Sequence, residues 1–258
     1  MGELGHDMNL RDNVAVVTGG SRGIGRAVVE RLAQSGVRVV INYLQDEEAA
    51  LSISKIAAQH GIEALIVRAD IRQVEAAEDV VRTAIQRFGR IDFMICNAGI
   101  WKGAPVEMLS EELWDQTIDI NLKGTWTMCR AAVPEMKKRG RGRIVIVSST
   151  AGQRGEANVS NYAASKGGQI SFAKSLASEL APFGITVNTV APGWVDTEMN
   201  LEVFGNANFR RSVEQSIPLG RIATADDVAY PILFLCSEWA RHITGEVLNV
   251  NGGSVLCG

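Results

Sequence analysis

Tyr162 and Lys166 stand four residues apart in Asn161-Tyr162-Ala163-Ala164-Ser165-Lys166, and Ser149 lies thirteen residues before the tyrosine, at the end of an apolar run. On a helix a spacing of four stacks two side chains on one face, so an ammonium comes to lie beside a phenol. A free phenol ionises near pH 10, too high for proton exchange at neutral pH, and a neighbouring positive charge is expected to lower that value. A phenol tuned in this way gives a proton to a carbonyl oxygen or takes one from an alcohol. A serine hydroxyl beside it would hold the same oxygen by a hydrogen bond.

Such a trio needs a rigid frame, and the hydrophobic pattern supplies one. Short β-branched apolar runs at 13–18, 37–43, 64–68, 91–96, 143–148, 186–191 and 246–250 read as buried strands. Helical patterns fall between them, at about 25–34, 46–60, 73–88, 110–138, 161–181 and 225–237. Near-continuous apolar strands separated by helices imply a parallel sheet covered on both faces. With right-handed crossovers the fold class is α/β, a doubly wound Rossmann fold of about seven strands. No linker, repeat or low-complexity tract divides the chain, so residues 1–258 read as one domain, with a loose leader at 1–10. The stretch 194–218 holds Trp194, Phe204, Phe209, Arg210, Arg211 and Pro218, and follows a strand's carboxyl end. It is expected to be a substrate loop or a surface excursion with a short helix, and both descriptions can hold together.

Composition narrows the function classes. With 258 residues, 46% of them hydrophobic, the chain can bury a large core. A net charge of −3 offers no basic field for nucleic acid or an anionic membrane. The densest basic run, at 137–143, reads as the solvated end of a helix, where cations suit the dipole. Cys96, Cys129, Cys236 and Cys257 have no C-x-x-C spacing, and His6, His60 and His242 are scattered, so neither a disulfide framework nor a metal site is expected. Without a signal peptide or an apolar stretch long enough to span a bilayer, a reducing cytoplasm is the expected location.

Between the first strand and the first helix lies Thr18-Gly19-Gly20-Ser21-Arg22-Gly23-Ile24-Gly25. Glycines let the backbone turn sharply and approach a pyrophosphate, while the helix N-terminus offers amides and dipole to anionic oxygens. Gly19, Ser21, Arg22, Gly23, Ile24 and Gly25 are therefore candidate cofactor residues, although any tight strand–helix turn uses glycine. The spacing is G-x-x-x-G-x-G rather than G-x-G-x-x-G. An acid ending the second strand would pair with the ribose of NAD and repel a 2′-phosphate. Asn42 and Tyr43 stand there instead, with Asp46 and Glu47 coming later as first-turn residues of the next helix. With Arg22 in the loop, this favours NADP(H) over NAD(H); the plainer reading of Arg22 is a solvated loop charge.

Together the glycine loop, Ser149 and Tyr162-x-x-x-Lys166 resemble the short-chain dehydrogenase/reductase family, from about residue 12 to residue 253. Other family stretches follow in order: Asp70, Asn97-Ala98-Gly99, Asn121 and Pro192-Gly193. The resemblance implies Tyr162 as acid/base, Ser149 as the residue orienting the substrate oxygen, and Lys166 as the group that tunes the phenol and holds the nicotinamide ribose. It implies that Asn121 anchors a water leading from Lys166 to solvent. It places Asp70 and Ile71 at the adenine, Asn97, Ala98 and Gly99 along the cofactor, and Pro192, Gly193, Val195 and Thr197 beside the nicotinamide. Singly, Asn97-Ala98-Gly99 could be a turn, Asp70 a helix cap and Asn121 a solvated helix residue. Ser148 and Thr150 are strand-end hydroxyls like Ser149, which is chosen for its distance to Tyr162 and for Gly152 after it. The family usually forms tetramers, so a homotetramer is the implied assembly.

Within the family, the ending Ile243-Thr244-Gly245-Glu246-Val247-Leu248-Asn249-Val250-Asn251-Gly252-Gly253 is similar to the 3-oxoacyl-carrier-protein reductase group. A small-molecule or acyl-thioester carbonyl is the implied substrate. Members that dock a carrier protein tend to carry exposed arginines near the site mouth, one of them late in the tyrosine-bearing helix. Here that position is Phe183, so docking would need other cations, at 137–143 or at Arg210 and Arg211. Trp101, Gln153, Arg154 and Trp194 are expected at the pocket or its rim, and two tryptophans suit a flat or apolar substrate, though tryptophan also serves packing. The rivals are a dehydrogenase of a free alcohol, sugar or steroid, and a silent dinucleotide sensor, which would not need the trio.

Overall fold

The buried β-branched runs pair side by side. In a computed structural model, which describes residues 8–256, the strands are β1 Val14–Thr18, β2 Arg38–Tyr43, β3 Ala64–Arg68, β4 Phe93–Cys96, β5 Gly142–Val147, β6 Ile185–Pro192 and β7 Val247–Val250. All pair in parallel, in the order β3-β2-β1-β4-β5-β6-β7. The main helices are α1 Gly23–Gln34, α2 Glu47–Gln59, α3 Val74–Phe88, α4 Glu111–Ile118, α5 Gly124–Arg139, α6 Ser160–Leu180, α7 Ala207–Ser216 and α8 Ala225–Cys236. Every expected strand is present, with ends differing by a residue or two.

Alternation along the strands decides which helix covers which face. Val17, Ile41, Ile95 and Val145 meet Val28 and Leu32 of α1 and Val228 and Ile232 of α8 on one side. Their neighbours Val16, Val40, Met94 and Ile144 point the other way, onto Val80 of α3, Met128 and Ala132 of α5 and Ala173 of α6. The sheet is thus buried on both faces, as its unbroken apolar strands require.

Two departures from the sequence expectation matter. The end of the expected loose leader is anchored: Leu10 is fully buried in the α1/α8 core and Met8 packs against it, while residues 1–7 lie outside those described, as does Cys257. The helix expected over 110–138 is interrupted by one widened, π-helical turn, Asp119–Lys123, between α4 and α5. The stretch 194–218 folds back as a short helical turn, Leu201–Phe204, followed by α7, around Phe204, Val213, Ile217 and Ile222. Cys96, Cys129 and Cys236 are buried free thiols, as expected of small hydrophobes.

Candidate active site

The order of strands reverses between β1 and β4, and the loops leaving their carboxyl ends diverge there. The crevice that opens at such a point is the usual ligand site of open α/β sheets. Here it is a cleft of about 630 Å³, lined by the glycine loop, the segments after β2, β3, β4, β5 and β6, and the first turns of α6. That volume lies within the range of about 300–1,000 Å³ typical of cofactor and small-molecule pockets. All the candidate site residues line it except Gly25 and Asn121, which stand behind its wall.

The candidate trio converges at the floor. α6 presents Tyr162 and Lys166 together, with the Lys166 Nζ 5.6 Å from the centre of the Tyr162 ring. The ammonium is buried and donates to the carbonyl oxygen of Val147 at the end of β5 (2.8 Å). Of the strand-end hydroxyls, Ser148 is spent on the Lys166 carbonyl oxygen (2.8 Å). The Ser149 Oγ accepts from the Ala151 amide (3.1 Å) and faces the cleft beside Tyr162.

The electrostatics correct one expectation. Tyr162 is pushed up to about 12, chiefly by burial of its hydroxyl; Ser149 opposes the shift and the charge of Glu156 adds to it. Lys166 is pushed down to about 7, because burial strips its ammonium of water. The lysine therefore does not lower the phenol in the protein alone: its cation is only partly present at neutral pH, and loss of water at the hydroxyl outweighs it. Tyr162 stays protonated throughout the neutral range.

The glycine loop fits a dinucleotide. Arg22 begins α1 in an extended conformation without a side-chain cap, and no acid occupies the first turn, so the helix's positive end is left for an anion. A Cβ on Gly25 would overlap the carbonyl oxygen of Gly19, which makes glycine necessary there. Asn97 ties the loop to β4, its Nδ2 donating to the carbonyl oxygens of Thr18 (3.0 Å) and Gly19 (3.1 Å). Ala98 and Asn97 amides both donate to Thr18 Oγ1 at 3.0 Å. Thr197 comes down on the loop from the opposite wall, its Cβ 3.5 Å from where a Gly23 Cβ would stand.

Along the part of the cleft after β2 and β3, where the adenosine is expected, the carboxylates are spoken for. Asp70 is clamped by the Arg72 guanidinium, with contacts of 2.6 to 3.0 Å, which holds its carboxyl below the usual range. Asp46 caps α2 through the Ala49 amide (2.9 Å). The Asn42 amide stitches β2 to β3 by donating to the Ala69 carbonyl oxygen (3.0 Å). Arg22 is exposed at the rim.

Trp101 and Trp194 form the outer wall, edge to face at 5.7 Å, and Trp194 meets Phe204 and Phe209 at 5.6 and 5.8 Å. Arg154 also lines the cleft, but Gln153 does not: its amide turns away to the Asn249 Oδ1 (2.7 Å). Reading the sequence missed Arg72, Lys102, Glu156 and Glu198, which all line the cleft. Only Glu156 carried a signal, lying between Ser149 and Tyr162. The basic run at 137–143 lies at the amino end of β5, opposite the cleft, with Arg141 and Arg143 on Glu238 and Lys138 on Glu135. Arg210 is held by Asp196 (2.6 Å) and Glu214 (3.3 Å).

Among the described residues no helix is long and apolar enough to cross a membrane, and no cluster of side chains could hold a metal. A family model described as enoyl-(acyl carrier protein) reductase matches residues 19–254. A 3-oxoacyl-[acyl-carrier-protein] reductase from Synechocystis is 39% identical, covering 96% of this chain and 98% of its own. One from Escherichia coli is 37% identical over 96% and 100%. A solved structure described as a short-chain alcohol dehydrogenase, from Sinorhizobium meliloti, superposes with a TM-score of 0.91 at 32% identity, covering 95% of this chain and 96% of that one. The glycine loop, the β1/β4 crevice and full-length likeness agree, and the chain belongs to the short-chain dehydrogenase/reductase family of oxidoreductases.

Proposed function

We propose that this protein reduces a ketone carbonyl with NADPH, with a 3-oxoacyl thioester as the substrate class. The reading rests on one observation: Ser149, Tyr162 and Lys166 meet on the floor of a cleft whose far end is a glycine loop at a helix N-terminus. When bound there, the nicotinamide supplies the hydride. The protein supplies position and proton. Ser149 Oγ and the Tyr162 hydroxyl hold the carbonyl oxygen, which fixes the reacting carbon. Tyr162, protonated at neutral pH, gives its proton to that oxygen as negative charge develops. Lys166 lies beneath the ring and restores the proton. Donation suits reduction, whereas oxidation of an alcohol would require the phenolate.

NADPH is preferred to NADH on charge. No free carboxylate ends β2, Asp70 is neutralised by Arg72, and Arg22 stands exposed at the rim for a 2′-phosphate. The relatives named as 3-oxoacyl reductases support the thioester, and the enoyl thioester is kept as a competing substrate in the test. A second reading, a flat or apolar free ketone, is favoured by Trp101 and Trp194 at the mouth. The test mixes protein and NADPH with a short 3-oxoacyl thioester, the matching enoyl thioester or free cyclic ketones. Loss of NADPH absorbance with the first supports the proposal, and loss only with the others overturns the thioester assignment. Binding without turnover of any carbonyl would make the chain a dinucleotide sensor.

A further inference from the structure

Between Ser149 and Tyr162 the chain makes a short loop, 155–159. Gly155 (φ 74°, ψ 165°) takes a conformation open essentially to glycine alone, and Asn158 (φ 63°) is left-handed. The loop is pinned to the segment after β4. A Cβ on Gly103 would overlap the Asn158 carbonyl oxygen, Val159 is buried against the same glycine, and Asn161 Nδ2 donates to the Lys102 carbonyl oxygen (3.0 Å). Two unusual backbone positions and one close approach thus hold Glu156 at a fixed place on the cleft wall.

Glu156 is half-buried there. Its carboxylate takes no hydrogen bond and no ion pair from the described residues. Burial raises its carboxyl above the usual range, and Arg154 opposes this by charge alone. The Glu156 charge in turn reaches the Tyr162 hydroxyl. A partly desolvated anion without a partner is unfavourable for the fold, so packing gives no reason for a glutamate here. Lys102 and Arg154 also line the cleft, but both are exposed, where water and salt screen them. The charge that acts at the reacting end of the cleft is therefore the negative one.

We propose that Glu156 is a specificity-determining residue: it rejects 3-oxo acids and admits the same acyl group as an ester or thioester. This rests on the reading that the cleft reduces a 3-oxoacyl thioester, and deepens it. In a 3-oxo acid, one methylene separates the carboxylate from the reacting carbonyl. Once Ser149 and Tyr162 hold that carbonyl's oxygen, the carboxylate lies within reach of the Glu156 charge. Like charges brought together in a partly dry site repel. Esterification removes the charge and leaves the reacting carbonyl in place. Discrimination of this kind works by repelling the wrong substrate, without a new contact to the right one.

The test measures kcat/KM with NADPH for a short 3-oxo acid, its methyl ester and its thioester. It compares wild type, Glu156→Gln and Arg154→Gln in mildly alkaline buffer, which keeps the carboxyl ionised. Wild type is expected to prefer the esterified forms to the acid. Glu156→Gln should lower that preference at least about tenfold, or about 1.4 kcal/mol. Taking the ratio of two substrates within one variant cancels any loss of folded or active enzyme, so a merely structural role would not move it. A preference that Glu156→Gln leaves unchanged, or that Arg154→Gln alters more, overturns the proposal, as does a wild type that reduces acid and ester alike. If Glu156→Gln does not fold, Glu156→Ala makes the same comparison. A wild type that reduces neither ester nor thioester overturns the functional reading itself, whereas turnover with an unchanged ratio overturns this inference alone.

Discussion

Lys166→Met should stabilise the fold while abolishing turnover. The lysine is pushed from 10.5 to about 7 by burial, and each unit corresponds to about 1.4 kcal/mol between protonation states. Folding at pH 7 must therefore place a cation, or release its proton, at a cost of about 4 kcal/mol. Methionine avoids that cost and loses the 2.8 Å bond to the Val147 carbonyl oxygen, worth about 1–3 kcal/mol once the buried acceptor is left alone. The net gain at neutral pH is about 1–3 kcal/mol. Its pH dependence is the sharper signature. Because the folded value lies below the unfolded one, the cost is complete below about pH 7 and fades as pH rises toward 10.5. The advantage of Lys166→Met should therefore shrink by about 1.3 kcal/mol per unit between about pH 8 and 9.5. Urea unfolding of both proteins at pH 6.5, 8 and 9.5 measures this, and buried Tyr162 and Cys236, which titrate in both, cancel in the difference. A difference that stays constant across this range would refute the burial account of Lys166.

Tyr162→Phe should cut kcat by about 10²–10⁴ while leaving NADPH affinity near wild type; a variant that keeps most of its turnover would remove the tyrosine from the chemistry. Gly25→Ala places a methyl against the Gly19 carbonyl oxygen, and NADPH binding followed by fluorescence titration should weaken at least about tenfold, or about 1.4 kcal/mol. Glu156→Gln removes the charge that helps raise Tyr162; in the alcohol-oxidation direction, which needs the phenolate, the alkaline rise in activity should move to lower pH. A profile that stays in place would mean the Glu156 charge does not reach the phenol.

The parallel sheet, its two covered faces and the glycine loop were legible because apolar runs of the right length alternate with helical periods, and glycine spacing marks where the chain must turn. What escaped was local and three-dimensional. The π-helical turn at Asp119–Lys123 adds no residue type that periodicity could register. Gln153 sits one residue before Arg154, yet a single helical step turns its amide to β7 and the guanidinium to the cleft. Asp70 bears the carboxylate expected at the adenine, but its charge is set by Arg72 two residues on. The behaviour of Tyr162 was misjudged because a spacing of four gives proximity and says nothing about water; desolvation reversed the sign of the shift.

The aromatic wall joins two chain excursions that share no strand: the segment at Trp101 after β4 and the insert carrying Phe204 and Phe209 after β6, with Trp194 between them. Their only ring-to-ring hinge is one indole. A ligand that parts the two excursions would disturb that indole. The entrance thus carries its own chromophore, and a change in the emission of Trp194 would report the arrival of a ligand without a dye.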